Sequence, residues 1–213
     1  MARIPLRYMA ILASVAFLVL GNGLQQTLIG LRAGVEGYAE KTVGVMMSAY
    51  FVGFVLASVH APRVIQRVGH IRAFAAFASA GSAFALCFAI FVSPGVWILL
   101  RVLQGACYAG MIIVVESWLN ASAEASWRGR VLAIYSIVMY AAWAISQPMV
   151  ALAPVSGFVL FALVSICLSL ALVPITLSRA GDPGVVLATR VGLRRLLAIS
   201  PTALSGAFVM GVA

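Results

Sequence analysis

Apolar residues fall along this chain in long unbroken blocks separated by short polar stretches. The blocks lie at about residues 8–31, 42–61, 72–92, 96–119, 130–152 and 155–177, and a seventh opens near 196. Crossing about 30 Å of hydrocarbon takes roughly 20 helical residues at 1.5 Å each. A backbone in lipid must satisfy its own hydrogen bonds, and an α-helix does so within a single segment. The pattern therefore predicts an all-α membrane protein: a six-helix bundle over 1–178, a cytoplasmic linker over 179–195, and the start of a seventh helix over 196–213. Because that last span closes with neither a basic nor an aromatic anchor, the chain is expected to be the first half of a longer protein. The basic "MARIPLR" ahead of the first block suggests a signal peptide, but the block is longer than the 7–15 residues of such a core and more spans follow. It is read as a retained helix.

Composition agrees with a bilayer setting. Hydrophobic residues make up 64% and charged residues 9%, against about 25% charged in soluble domains. The net charge of +9 raises the question of a nucleic-acid partner, and placement answers it. If the helices alternate from a cytoplasmic N-terminus, Arg3, Arg7, Arg63, Arg67, Arg72, Arg128, Arg130, Arg179, Arg190, Arg194 and Arg195 share one side, leaving Arg32 and Lys41 on the other. That asymmetry is the positive-inside pattern of a bacterial inner-membrane protein. No basic face interleaved with aromatics is present, so no nucleic acid is expected. Cys87, Cys107 and Cys167 lie inside spans without metal-ligand spacing and read as small packing residues. No metal or cofactor is expected.

Connections organise the bundle. "SPG" (93–95) and "AP" (153–154) predict tight hairpins on the far side, while the cytoplasmic connections are longer and basic. The third block, "AFAAFASAGSAFALCFAIF", is dense in small residues that let helices approach closely. Enzyme signatures are missing: His60 and His70 sit at or near helix ends, and neither a G-x-S-x-G elbow nor a phosphate-binding G-x-x-x-x-G-K-[ST] occurs.

The chemistry lies in polar residues within the blocks. In "VWILLRVLQGACYAGMIIVVESW" Arg101 interrupts the fourth span, and a mid-membrane charge costs about 2.5–3.5 kcal/mol on insertion scales. Gln104, Gly105 and Tyr108 follow on the same helical face. Two readings stay open: a cavity-lining stripe, or an arginine that snorkels to the interface. The first span holds Asn22, Gln25, Gln26 and Thr27 among Gly21, Gly23 and Gly30. These suit either a substrate site near the midplane or hydrogen bonding between helices. In the fifth span Tyr140, Trp143 and Gln147 share a face and fit either binding or packing.

"LLRVLQGACYAG" resembles the fourth-helix motif R-x-x-Q-G of the major facilitator superfamily, with Arg101, Gln104 and Gly105 in its places. "PRVIQRVGHIRAF" resembles the loop G-x-x-x-D-R-x-G-R-R/K of that superfamily, Arg67 and Gly69 in register and Arg72 adding charge. It departs at Pro62, Gln66, His70 and Ile71, and Gln66 cannot form the ion pair of the motif's aspartate. Glu116 facing Arg128 or Arg130 is expected to brace the inner gate instead. "ESWLN", "RGR" and "GNGLQQTL" look most like the YcaD-like branch of bacterial transporters, and "VPITL" resembles the superfamily's P-E-T-L with Ile175 at the glutamate. The resemblance implies two six-helix bundles rocking about a central site, each made of two three-helix inverted repeats, with the first and fourth helices lining the cavity. It also implies a small-molecule substrate carried across the lipid bilayer by alternating access. The rival function is a membrane assembly protein whose polar residues only hold helices together. Substrate, direction and coupling ion are not legible; the G-x-x-x-G-P antiporter signature is absent from the fifth span.

Overall fold

A computed structural model describes residues 6–122 and 128–177. Six helices form it: α1 (Leu6–Val35), α2 (Glu40–Val68), α3 (His70–Ile90), α4 (Pro94–Ser122), α5 (Arg128–Ser146) and α6 (Val159–Leu177). Each is long and apolar enough to cross a membrane, so all six expected spans are present. The expected linker and seventh helix lie outside the described residues.

Helix ends differ from the sequence pattern in two informative places. The motif-bearing segment expected as a loop continues α2 as far as Val68, carrying Pro62, Arg63 and Arg67 in helical conformation. Helical arginines at a membrane boundary keep their charge in the wet headgroup layer, so charge alone does not end a helix. What ends α2 is Gly69, at φ 83° and ψ 167°, whose N–H bonds Ile65 O at 2.8 Å. α3 starts at the very next residue. The fifth block breaks early: α5 stops at Ser146 and a 3₁₀ turn covers Pro148–Leu152. Pro148 has no N–H to give to the preceding turn and its ring crowds that carbonyl. The connection to α6 then runs through a turn closed by Gly157 N–H to Pro154 O at 2.9 Å.

The helices alternate in direction, and neighbours in sequence touch little. α4 packs on α2 and α3; α1 packs on α5 and α6; α3 packs on α6. Exchanging the first three helices for the last three maps this list of pairs onto itself: α2 on α4 becomes α5 on α1, and α3 on α4 becomes α6 on α1. That is the pairing of two interlocked three-helix repeats. α1 and α4 are the most enclosed spans. Their side chains Val15, Leu18, Met111, Val114 and Trp118 meet Phe74 and Leu168 in the main apolar core.

Helix approach is closest between α2 and α4. A Cβ at Gly53 would strike the Val102 carbonyl, and one at Gly105 would strike the Tyr50 carbonyl. Glycine thus lets the two backbones meet where lipid supplies no hydrophobic drive for association. The meeting point lies within one helical turn of Arg101.

Candidate functional site

At that crossing the polar residues of three helices converge. Arg101 is 1% exposed, Gln104 2%, Gln25 1% and Asn22 8%. Arg101 Nη2 donates to Gln26 Oε1 at 2.6 Å and Gln104 Nε2 donates to Gln25 Oε1 at 2.6 Å. The Arg101 guanidinium lies over the Tyr50 ring, 4.5 Å from its centroid, and Tyr50 Oη donates to Asn22 Oδ1 at 3.2 Å. Arg101 therefore does not snorkel: it turns inward and α1 caps it. Of the two readings for the first span, hydrogen bonding between helices describes Gln25 and Gln104, whereas Gln26 is partly buried beside the charge.

The cluster is rich in donors. An arginine carries five N–H groups and no acceptor, and here Nε and Nη1 have no partner. Gln25 Nε2 and Gln104 Oε1 are also unpartnered. Among the described residues the ion pair formed is Arg32 with Glu36 at 2.6 Å, at the C-terminal end of α1 and well away from Arg101 in sequence. No carboxylate among the described residues neutralises Arg101.

Tyr50 escaped the sequence reading. A tyrosine well inside a span, rather than in the interfacial belt that aromatic residues favour, was the available signal.

Two turns along α4 lies the second part of the site. Tyr108 lines a cavity of about 310 Å³ together with Val19 of α1 and Ser136, Met139, Tyr140 and Trp143 of α5. Tyr140 is 75% exposed and Trp143 54%, so α5 offers two rings that this bundle leaves uncovered. The Tyr108 and Tyr50 ring centroids are 6.3 Å apart, making a continuous aromatic path from cavity to guanidinium. Gln147 is not part of that lining. It accepts a hydrogen bond from Thr27 Oγ1 at 2.7 Å, joining α5 to α1.

At the basic end Arg67 and Arg72 are exposed and flank Gly69. Of the expected brace of Glu116 with Arg128 or Arg130, Arg128 turns instead to Asn120. Arg128 donates through Nε to Asn120 Oδ1 and through Nη2 to Asn120 O, both at 3.3 Å. Glu116 Oε1 accepts from Tyr135 Oη at 3.1 Å. A helix C-terminus presents unpaired carbonyls that attract a cation, and the last turn of α4 draws Arg128 in this way. α4 and α5 are still joined, by different atoms. Arg130 sits in the first turn of α5.

Fold and site together define a multi-pass integral membrane protein in which a buried guanidinium lies near an aromatic-lined cavity. The sequence profile of the Major Facilitator Superfamily matches residues 8–213. An uncharacterized MFS-type transporter of Enterobacter sp. strain 638 is 26% identical over 174 residues, 82% of this chain and 46% of that protein. The uncharacterized MFS-type transporter YcaD of Escherichia coli (strain K12 / DH10B) is 31% identical over 144 residues, 67% of this chain and 37% of that protein. The chain belongs to the Major Facilitator Superfamily, and it spans less than half the length of these relatives.

Proposed function

We propose that this chain forms one six-helix bundle of a secondary transporter that moves a small organic solute by alternating access. A second bundle, supplied by the remaining half of the same protein, closes the recess. The observation carrying the proposal is the juxtaposition of a buried guanidinium with an open aromatic cavity on the α1, α4 and α5 face. A protein that only needed helix adhesion gains nothing from leaving Tyr140 and Trp143 uncovered beside a charge. In this reading Asn22, Gln25, Gln26, Arg101, Gln104, Tyr108, Tyr140 and Trp143 form the substrate face, and Gln147 holds α5 against α1. Arg67, Gly69, Arg72, Glu116, Arg128 and Arg130 belong to the gate at the basic end, which faces the cytoplasm of a bacterium.

Two-sided thiol access tests this. With Cys87, Cys107 and Cys167 replaced by serine, single cysteines are placed at Gln26, Tyr108, Tyr140 and Trp143. A membrane-impermeant maleimide is then applied from each side of sealed vesicles. Alternating access requires that at least Tyr140→Cys and Trp143→Cys react from both sides. Reaction from one side alone rejects alternation, and silence at all four positions returns the assembly protein.

A further inference from the structure

We propose that the solute is an amphipathic organic anion: its carboxylate or similar headgroup docks on Arg101 and its apolar body occupies the cavity of Tyr108, Tyr140 and Trp143. The inference rests on the transporter reading of the same recess and names its substrate class.

Hydrogen-bond arithmetic points to an anion. Around Arg101 three nitrogens lack partners, Arg101 Nε, Arg101 Nη1 and Gln25 Nε2, against one oxygen, Gln104 Oε1. Three donors, two of them on the charged guanidinium, are best matched by an anionic guest. The present partner of the guanidinium, Gln26 Oε1, is a neutral acceptor on a partly buried side chain. An anion entering beside Gln26 would exchange that neutral acceptor for a charged one, adding ion-pair attraction and the option of a bidentate contact. Gln26 is on α1 and Arg101 on α4, so this exchange also loosens one link between the two repeats.

Geometry adds the apolar body. Arg101 and Tyr108 are seven residues apart, about 10 Å along the helix, and the Tyr50 ring flanks the interval, 4.5 Å from the guanidinium carbon and 6.3 Å from the Tyr108 ring. The cavity beyond holds about 310 Å³, at the lower end of the range for small-molecule sites. An inorganic anion would leave that aromatic volume empty, whereas a long-bodied acid fills both parts.

The test uses the full chain in detergent micelles, where both faces are open. Cys87, Cys107 and Cys167 are replaced by serine and Ser136→Cys reports on the cavity wall without removing a ring. Its alkylation by N-ethylmaleimide is timed against three probes of equal shape: 4-phenylbutyrate, 4-phenylbutanol and 4-phenylbutylamine. The expected result is half-maximal protection by phenylbutyrate at a concentration at least tenfold below the other two. Arg101→Gln should abolish that preference and Arg101→Lys should keep part of it. Should both fail to insert, Gln26→Leu supplies the second arm: the freed guanidinium should lower the phenylbutyrate concentration about threefold further. Equal potency of the three probes overturns the proposal. So does a preference that survives Arg101→Gln, and so does the loss of phenylbutyrate protection in Gln26→Leu. Because micelles need no alternation, this result is independent of two-sided labelling: an anion preference with one-sided labelling removes transport and keeps the site, and the converse removes the substrate class alone.

Discussion

Arg101 is the residue on which the site turns, and its neighbour Tyr50 shows how a buried charge is tolerated. Only one guanidinium nitrogen is hydrogen-bonded, so the face of the Tyr50 ring supplies much of the remaining stabilisation; desolvated cation–π contacts are worth about 2 kcal/mol. Tyr50→Phe keeps the ring and removes only the hydrogen bond to Asn22, with an expected cost of about 0.6 kcal/mol, the average for such bonds inside membranes. Tyr50→Leu removes ring and hydroxyl together and should cost about 2 kcal/mol more. Unfolding midpoints in mixed micelles separate the two; equal losses would mean that the ring is mere packing. The arginine and the amides were legible because a polar side chain in an apolar block stands out by its insertion cost. Tyr50 was not, since Met46, Met47, Gly53 and Phe54 surround it on its helical face and no polar neighbour there marks it out. The contact of Arg128 was not legible for another reason: spacing shows which charges come near one another but not that the Asn120 carbonyl would compete for Arg128.

Among helices, the crossing of α2 and α4 decides how firmly that arginine is held. Gly105 sits in the R-x-x-Q-G pattern for a packing reason, since any Cβ there meets the Tyr50 backbone, and Gly53 has the reciprocal role against Val102. Gly105→Ala is expected to cost about 1–3 kcal/mol by overpacking and to displace Arg101 as the helices part. The control is Gly44→Ala in the same α2, where a Cβ meets nothing and the lower backbone entropy of alanine favours the helix by about 0.5–1 kcal/mol. Opposite signs in thermal unfolding would establish the crossing; similar small effects would refute it. At the end of α2, Gly69 holds a backbone conformation with positive φ and extended ψ that is essentially restricted to glycine. Gly69→Ala should therefore destabilise by about 1–3 kcal/mol, read the same way. The existence and order of all six helices were legible because block length is a physical requirement of the bilayer. Their ends were set by special residues that the block pattern passed over: Pro148 lies inside the fifth block, and Gly69 was read as a motif position when it is the whole connection between α2 and α3.

For the molecule as a whole, the repeat pairing and the distribution of charge constrain how it sits in a membrane. One end of the bundle carries Arg63, Arg67, Arg72, Arg128 and Arg130, while the opposite end has Arg32 paired to Glu36 and Lys41 beside Glu40. The second end is close to neutral. The anionic cytoplasmic leaflet attracts each juxtamembrane Lys or Arg by about 1 kcal/mol, so the excess of cations at this end biases orientation by a few kcal/mol. Interlocked repeats turn this into a cooperative choice, for α1 cannot reverse without α5 and α6, on which it packs. Alkaline phosphatase, active only outside the cytoplasm, should accordingly be active when fused after Gly37 or Ser156 and inactive after Gly69. Replacing Arg63, Arg67 and Arg72 by glutamine leaves the cations of α5 in place, and the pattern should persist with reduced contrast. Phosphatase activity after Gly69 in the unmodified chain would invert the orientation and place the gate of Arg67 and Arg128 on the outer face.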